Sequence, residues 1–171
     1  NDVSQLKTGQ LRWLGPLYER HGGDVRSMLL RTNPGLGPEG ADDLAQEVFL
    51  TFVDTLGRYE HQGKLRSWLY GIAIRKARAR RRSEWVRRAL RREHGTAASG
   101  TSTAPDRTAE RVEARERIAA LLDAMPQTQR EVVVLRLIQG LSGEETAKVL
   151  GISENAVGTR LHRARQALEE G

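Results

Sequence analysis

The stretch "LSGEETAKVLGISENAVGTRLHRARQAL" at positions 141–168 leaves its own fold little freedom. Ser142 followed by Glu145 is a capping box, in which the Ser side chain accepts from the third helical N–H and the Glu reaches back. The helix begun there runs to Leu150, where Gly151 suits the left-handed residue that ends a helix. Ser153 then caps a second helix, in which Val157, Leu161, Ala164 and Leu168 recur at spacings of four, three and four as one apolar stripe. Its other side carries Glu154, Asn155, Thr159, Arg160, His162, Arg163 and Arg165. A short helix, a glycine turn and a cationic second helix make a helix-turn-helix, whose second helix lies in the major groove of DNA. The alternative is a helical hairpin of a bundle with a solvated charged face.

The rest of the chain divides by composition. Residues 1–92 have helical periodicity and end strongly basic. Residues 93–108, "EHGTAASGTSTAPDRT", are nearly free of large apolar side chains and read as a flexible linker, because they cannot bury enough surface to offset ordering. Residues 109–171 are helical again. With no run of alternating apolar and polar residues, the expected fold is all-α: two small helical domains joined by that linker. In the first domain the expected helices cover about 9–21, 24–32, 41–57 and 63–90, with breaks at Gly22-Gly23 and at "NPGLGPEG" (33–40).

Charge points to a polyanionic partner. The net charge is +6 and the pI about 10.3. Lys7, Lys64, Lys76 and Lys148 are the lysines and the remaining basic residues are arginine. That excess suits bidentate phosphate and guanine contacts; GC-rich codon usage would give the same bias. The segment 74–92, "IRKARARRRSEWVRRALRR", carries cations on every side and one Glu. A free helix of this kind repels itself, and a phosphate backbone relieves the repulsion. A solubilising surface or a basic tail is the competing reading. Just upstream, Tyr59, Trp68 and Tyr70 interleave with Arg58, Lys64 and Arg66, a mixture able to hold an unstacked base, although Trp68 itself reads as core. In 41–57, Leu44, Val48 and Phe52 form a core face, while Asp43, Glu47, Leu50 and Asp54 make a separate outward stripe with Gln46 beside it. An acidic stripe holding an exposed Leu suits protein docking; an ordinary solvated face has the same composition.

Other classes find no support. The chain has no cysteine, and its four histidines show no ligand spacing, so no metal, cofactor or disulfide is expected. No nucleophile–base pair or phosphate-binding glycine loop suggests an enzyme. No apolar run nears the roughly 20 residues that span a bilayer, and no signal peptide is visible, so no membrane insertion is expected and the cytoplasm is the expected compartment. A stand-alone regulator would need a dimer seam, and no heptad pattern supplies one. An adaptor protein fits poorly with the basic helix.

These segments together resemble the extracytoplasmic-function subfamily of bacterial sigma factors, the promoter-recognition subunits of RNA polymerase. "LYERHGGDV" (17–25), "ADDLAQEVFLTF" (41–52) and "RSWLYGIA" (66–73) look like that family's region 2, and "LLDAMPQTQREVVVLRLIQGLSGEETAKVLGISENAVGTRLHRARQAL" (121–168) looks like its region 4. The resemblance implies that the 41–57 helix docks on the clamp helices of the polymerase β′ subunit through Asp43, Gln46, Glu47 and Leu50. It implies that the loop holding Tyr59, His61, Lys64 and Arg66 captures a base of the minus-ten element, with Arg75, Lys76 and Arg78 on the adjoining duplex. It implies that region 4 reads the minus-thirty-five element through Glu154, Asn155, Thr159, Arg160 and Arg163 and rests on the polymerase β flap. Two departures stand out. Ile74-Arg75 replaces a frequent Arg-Asn, and Gly158 replaces a frequent lysine, weakening the helix by about 1 kcal/mol relative to Ala. No sensor segment follows residue 168 here, so the expected input is a partner such as an anti-sigma factor or a segment outside the given sequence. The sixteen-residue linker, extended, reaches at most about 55 Å, against roughly 58 Å between elements about 17 base pairs apart.

Overall fold

The computed structural model describes residues 11–59, 64–92 and 109–169, and among them every regular element is helical. The expected linker 93–108 and the expected base-contacting His61 lie outside the described residues.

The N-terminal region holds three long helices. After a 3-10 turn at Leu11–Trp13, α1 runs Leu14–Thr32. From the sequence, Gly22-Gly23 should end a helix, but α1 passes through both. Neither glycine takes a positive φ. A Cβ on Gly22 would stand 3.2 Å from the Tyr18 ring, so this glycine gives close packing instead of a turn. The Tyr18 ring in turn meets Phe49 edge-on at 5.0 Å. The end of α1 is closed by its own side chains: Thr32 Oγ1 donates to Met28 O at 2.8 Å and Asn33 Nδ2 to Leu29 O at 3.1 Å.

Helix α2, Gly37–Asp54, starts four residues before the expected position 41, because Gly37 at φ 69° and the proline after it begin the helix directly behind a 3-10 turn at Pro34–Leu36. It buries Leu44, Val48, Phe49 and Phe52. A 3-10 turn at Leu56–Arg58 leads toward α3, Leu65–Arg92. The first half of α3 buries Leu69, Tyr70, Ile72 and Ile74, whereas Trp85, Val86 and Leu90 near its end are exposed.

The C-terminal region starts with α4, Ala109–Ala124, followed by α5, Gln127–Val133, which continues as a π turn over Val134–Ile138. The widened turn shows in the bond from Gln139 N to Val134 O at 2.8 Å, and Gly140 at φ 70° follows it. The last two elements, α6 (Gly143–Leu150) and α7 (Glu154–Glu169), are the expected helix-turn-helix.

One apolar core runs through both regions, from Leu17 to Ala164. Helix α3 packs along α6, and α1 meets α4 and α5. Polar contacts seal the seam: Gln127 Nε2 donates to Thr32 O at 2.9 Å, Tyr70 OH to Gln139 Oε1 at 2.7 Å, and Ser67 Oγ to Glu145 Oε1 at 3.2 Å. The two regions share one core in this arrangement.

Candidate nucleic-acid and polymerase interface

The helix-turn-helix forms from local rules. Glu145 N donates to Ser142 Oγ at 3.1 Å and Ser142 N to Glu145 Oε2 at 2.9 Å, completing the capping box. The bond from the Ser142 backbone holds the Glu145 carboxyl below its ordinary pKa, against the opposing effect of burial. Gly151 sits at φ 67°, ψ 41°, the left-handed end of α6. Ser153 Oγ then accepts from Ala156 N at 3.2 Å, starting α7. Val157 and Ala164 are buried and Leu161 half-buried, but Leu168, the last residue of the expected apolar stripe, is exposed. Glu154, Asn155, Thr159 and Arg163 face outward. Thr159 turns its hydroxyl back to Asn155 O at 3.0 Å. Arg160 is half-buried and lines a cleft with Arg78, Arg81, Arg82 and Trp85 of α3.

On α2, Asp43, Gln46, Glu47 and Leu50 all lie on the surface, and Leu50 is 60% exposed. An aliphatic side chain left that open, ringed by carboxylates, is free to enter a partner's groove. Of the four, Glu47 carries an ion pair, to Lys76 at 3.2 Å.

The residues expected to meet the minus-ten element are spread around α3: Lys64 and Arg75 share a cleft with α6, Arg78 turns toward Glu131, and Lys76 turns toward Glu47 of α2. Arg58, Lys64, Arg75 and Lys148 line a cleft with Tyr59 and Trp68, with Glu145 and Val149 of α6 on its far wall. Tyr59 does not present its ring to solvent as expected. It is buried edge-on between Phe52 at 5.8 Å and Trp68 at 5.7 Å, filling the gap between the end of α2 and the start of α3, and burial raises its pKa. Arg66 spans to the C-terminal region, donating to Gln139 O at 2.6 Å while its guanidinium lies 5.6 Å from the Tyr70 ring centre.

Arg78 is the most committed of these cations. It reaches Glu131 at 2.6 Å and donates to Leu150 O at 3.1 Å. Arg81 meets the same carboxylate at 3.2 Å, and Gln127 Nε2 donates to it at 3.1 Å. Burial pushes the Glu131 carboxyl up, but the bonds and charges of Arg78, Gln127 and Arg81 outweigh it, leaving the pKa below the ordinary value. Reasoning from sequence missed Glu131. The available signal was a lone carboxylate in the apolar run "REVVVLRL" (130–137), four residues before Leu135 and on the same buried face.

The described residues thus combine a capped helix-turn-helix, a cationic helix and a separate acidic stripe in two helical regions. Models of sigma-70 region 2 and sigma-70 region 4 match residues 17–87 and 115–168. The ECF RNA polymerase sigma factor SigD of Mycobacterium tuberculosis (strain ATCC 25618 / H37Rv) is 37% identical over 131 residues, which are 76% of this chain and 62% of SigD. The chain thus spans less than two thirds of that relative's length. The RNA polymerase sigma factor CnrH of Cupriavidus metallidurans is 31% identical over 173 residues, covering 97% of this chain and 90% of CnrH. The solved structure of CnrH with the cytosolic domain of CnrY superposes with a TM-score of 0.70 at 29% identity, over 99% of this chain and 93% of that one. The sigma factor RpoE of Bartonella quintana, solved with the anti-sigma factor NepR, shares the fold at a TM-score of 0.75 and 20% identity, over 91% of this chain and 94% of that one. The chain belongs to the extracytoplasmic-function subfamily of bacterial RNA polymerase sigma factors.

Proposed function

We propose that this chain binds core RNA polymerase and directs transcription initiation by recognising minus-ten and minus-thirty-five promoter elements. The observation that carries the reading is the pairing of two surfaces of opposite character: the uncovered acidic stripe of α2 and the capped helix-turn-helix with its polar outer face. Asp43, Gln46, Glu47 and Leu50 dock on the β′ clamp helices. Region 4 rests on the β flap. Lys64, Arg66, Arg75, Lys76 and Arg78 hold the minus-ten side, together with Tyr59 and His61. Glu154, Asn155, Thr159, Arg160 and Arg163 meet the minus-thirty-five element, with Arg160 as base reader and Arg163 on the phosphate backbone. The 93–108 segment acts as the linker that lets the two regions separate.

The site of action is the cytoplasm, where polymerase and promoter meet; among the described residues no helix is long and apolar enough to cross a membrane. CnrH was solved with the cytosolic domain of CnrY. By that likeness, a protein inhibitor of the anti-sigma type regulates this chain. Incubation with core polymerase on a library of promoter templates tests the proposal. Promoter-dependent transcripts above those of core alone are expected, and their absence on every template overturns it.

A further inference from the structure

The far half of α3 takes no part in the promoter and polymerase contacts proposed above. It nevertheless holds the most exposed large apolar side chain among the described residues, Trp85 at 71%. That indole lines a cleft of about 400 Å³, opposite the turn at 33–36 between α1 and α2 and beside Gln127 and Arg130 of α5. The volume lies in the range of small-ligand sites. Arg80, Arg81, Arg88 and Arg130 line the cleft, and Glu84 is the carboxylate among them. These cations are not equally engaged. Arg130 donates to Leu122 O, Asp123 O and Met125 O, and Arg81 donates to Asn33 Oδ1 and to Glu131. Arg80 is held more loosely, with Nε 3.4 Å from Glu84. Arg88 has no hydrogen-bond or ion-pair partner among the described residues. It follows Trp85 by three positions, which puts the two side chains on the same face of the helix.

We propose that this cleft binds a free nucleotide, its base stacked on Trp85 and its phosphates held by Arg88 and Arg80. An exposed indole beside an unpaired guanidinium sets two requirements at once. An inorganic anion would pair Arg88 and leave the indole in water. An apolar molecule would cover the indole and leave the guanidinium unpaired. A duplex has its bases stacked on one another and offers the indole no ring face. A planar base bearing phosphates meets both requirements, because every base has a face that stacks on an aromatic ring and phosphate suits a guanidinium fork. The cleft is distinct from the one in which Lys64, Arg75 and Trp68 meet. Trp68 and Trp85 lie seventeen residues apart on α3, roughly 25 Å at about 1.5 Å per residue. The walls contributed by the 33–36 turn and α5 enclose a space of single-ligand size instead of an open track along the helix, which favours a free nucleotide over a strand. The site adds a small-molecule input to the chain and does not depend on the promoter reading.

The full chain is titrated with ATP, GTP, CTP and UTP, with guanosine, with inorganic triphosphate and with a single-stranded oligonucleotide. Tryptophan fluorescence and calorimetry are followed without polymerase or promoter, so the outcome is separate from that of the transcription assay. At least one nucleotide is expected to quench the fluorescence saturably. Guanosine and inorganic triphosphate should each bind about tenfold or more weaker than that nucleotide, since each supplies half of the contacts. Trp85→Leu and Arg88→Gln replace exposed side chains, and circular dichroism checks that their helix content is kept. Each is expected to weaken nucleotide binding in calorimetry by about tenfold. Arg165→Gln removes an equal charge from the exposed face of α7 and should leave the binding unchanged. Four results would each overturn the site: no saturable binding of any nucleotide at millimolar concentration, parental affinity in both Trp85→Leu and Arg88→Gln, an equal loss in Arg165→Gln, or binding of the oligonucleotide alone.

Discussion

Two charged surfaces of this chain, one acidic and one basic, are treated differently by the fold. The acidic stripe of α2 is presented on the surface: Asp43, Gln46, Glu47 and Leu50 are exposed, with Leu50 held open to solvent and Glu47 alone of the four paired, to Lys76, among the contacts described. The basic residues of α3 are partly consumed inside the molecule: Arg66 by Gln139, Arg78 and Arg81 by Glu131, with Arg160 of α7 turned into the same cleft. A surface meant for a protein partner needs only side chains pointing away from the core, which one helix can arrange. A surface meant for phosphate attracts any carboxylate the fold brings near. The lesson is that a cationic stripe in sequence marks affinity for anions, while the fold decides which anion it holds at rest.

The comparison breaks most visibly if the acidic stripe is reversed. Asp43→Arg with Glu47→Arg is expected to weaken core polymerase binding by about thirtyfold or more, the loss of one interface hot spot near 2 kcal/mol. Helix content should not change. Equal affinity in a titration of core enzyme would refute the docking role.

The basic side is sharpened by Arg160→Ala. Losing a bidentate base contact costs about 1–3 kcal/mol at one promoter position. Transcription should fall on templates that need the upstream element and hold on templates where it is scrambled. A constant ratio between the two template sets would instead assign Arg160 to closure of the cleft alone.

A smaller effect is expected at the cap between these surfaces. Ser142→Ala leaves Glu145 N without its acceptor and should cost about 0.5–2 kcal/mol. Thermal unfolding should shift down by about 2–4 °C per kcal/mol for a chain of this size. No shift would mean that packing against α3 holds α6 without its cap.

Acid should act on the seam and spare the stripe. The Glu131 carboxyl lies below its ordinary pKa, so the closure it supports is intact above the ordinary carboxylate range and is lost as pH falls through the lowered value. Arg78 and Arg81 from α3 and Gln127 from α5 face it, so the thermal unfolding temperature should hold flat down to the ordinary carboxylate range and drop only beneath it. A drop near neutrality would point to another group. The smallest change is expected for Arg163→Ala: the slope of log affinity against log salt should fall by about one, with all sequences weakened alike.

Where structure followed sequence, the determinants were contiguous. The capping box, the left-handed Gly151 and the Ser153 cap lie within a dozen residues, and each acts through its own backbone. The exposed stripe of α2 followed from helical periodicity alone. The misreadings came from contacts between distant residues. Gly22-Gly23 reads as a break until the Tyr18 ring against Phe49 is known to need the space. The burial of the Tyr59 ring likewise depends on Phe52 and Trp68 closing around it.

The sequence by itself determined an all-α pattern with an acidic stripe in the first third, a cationic helix reaching the middle and a helix-turn-helix at the end, because periodicity, caps and charge are local properties. Only the tertiary structure decided that Arg78 and Arg81 close on Glu131, some fifty residues away, while Leu50 stays open. A buried carboxylate must find cations wherever the fold supplies them, since leaving it unpaired in an apolar seam costs several kcal/mol, and no local pattern states which cations those are.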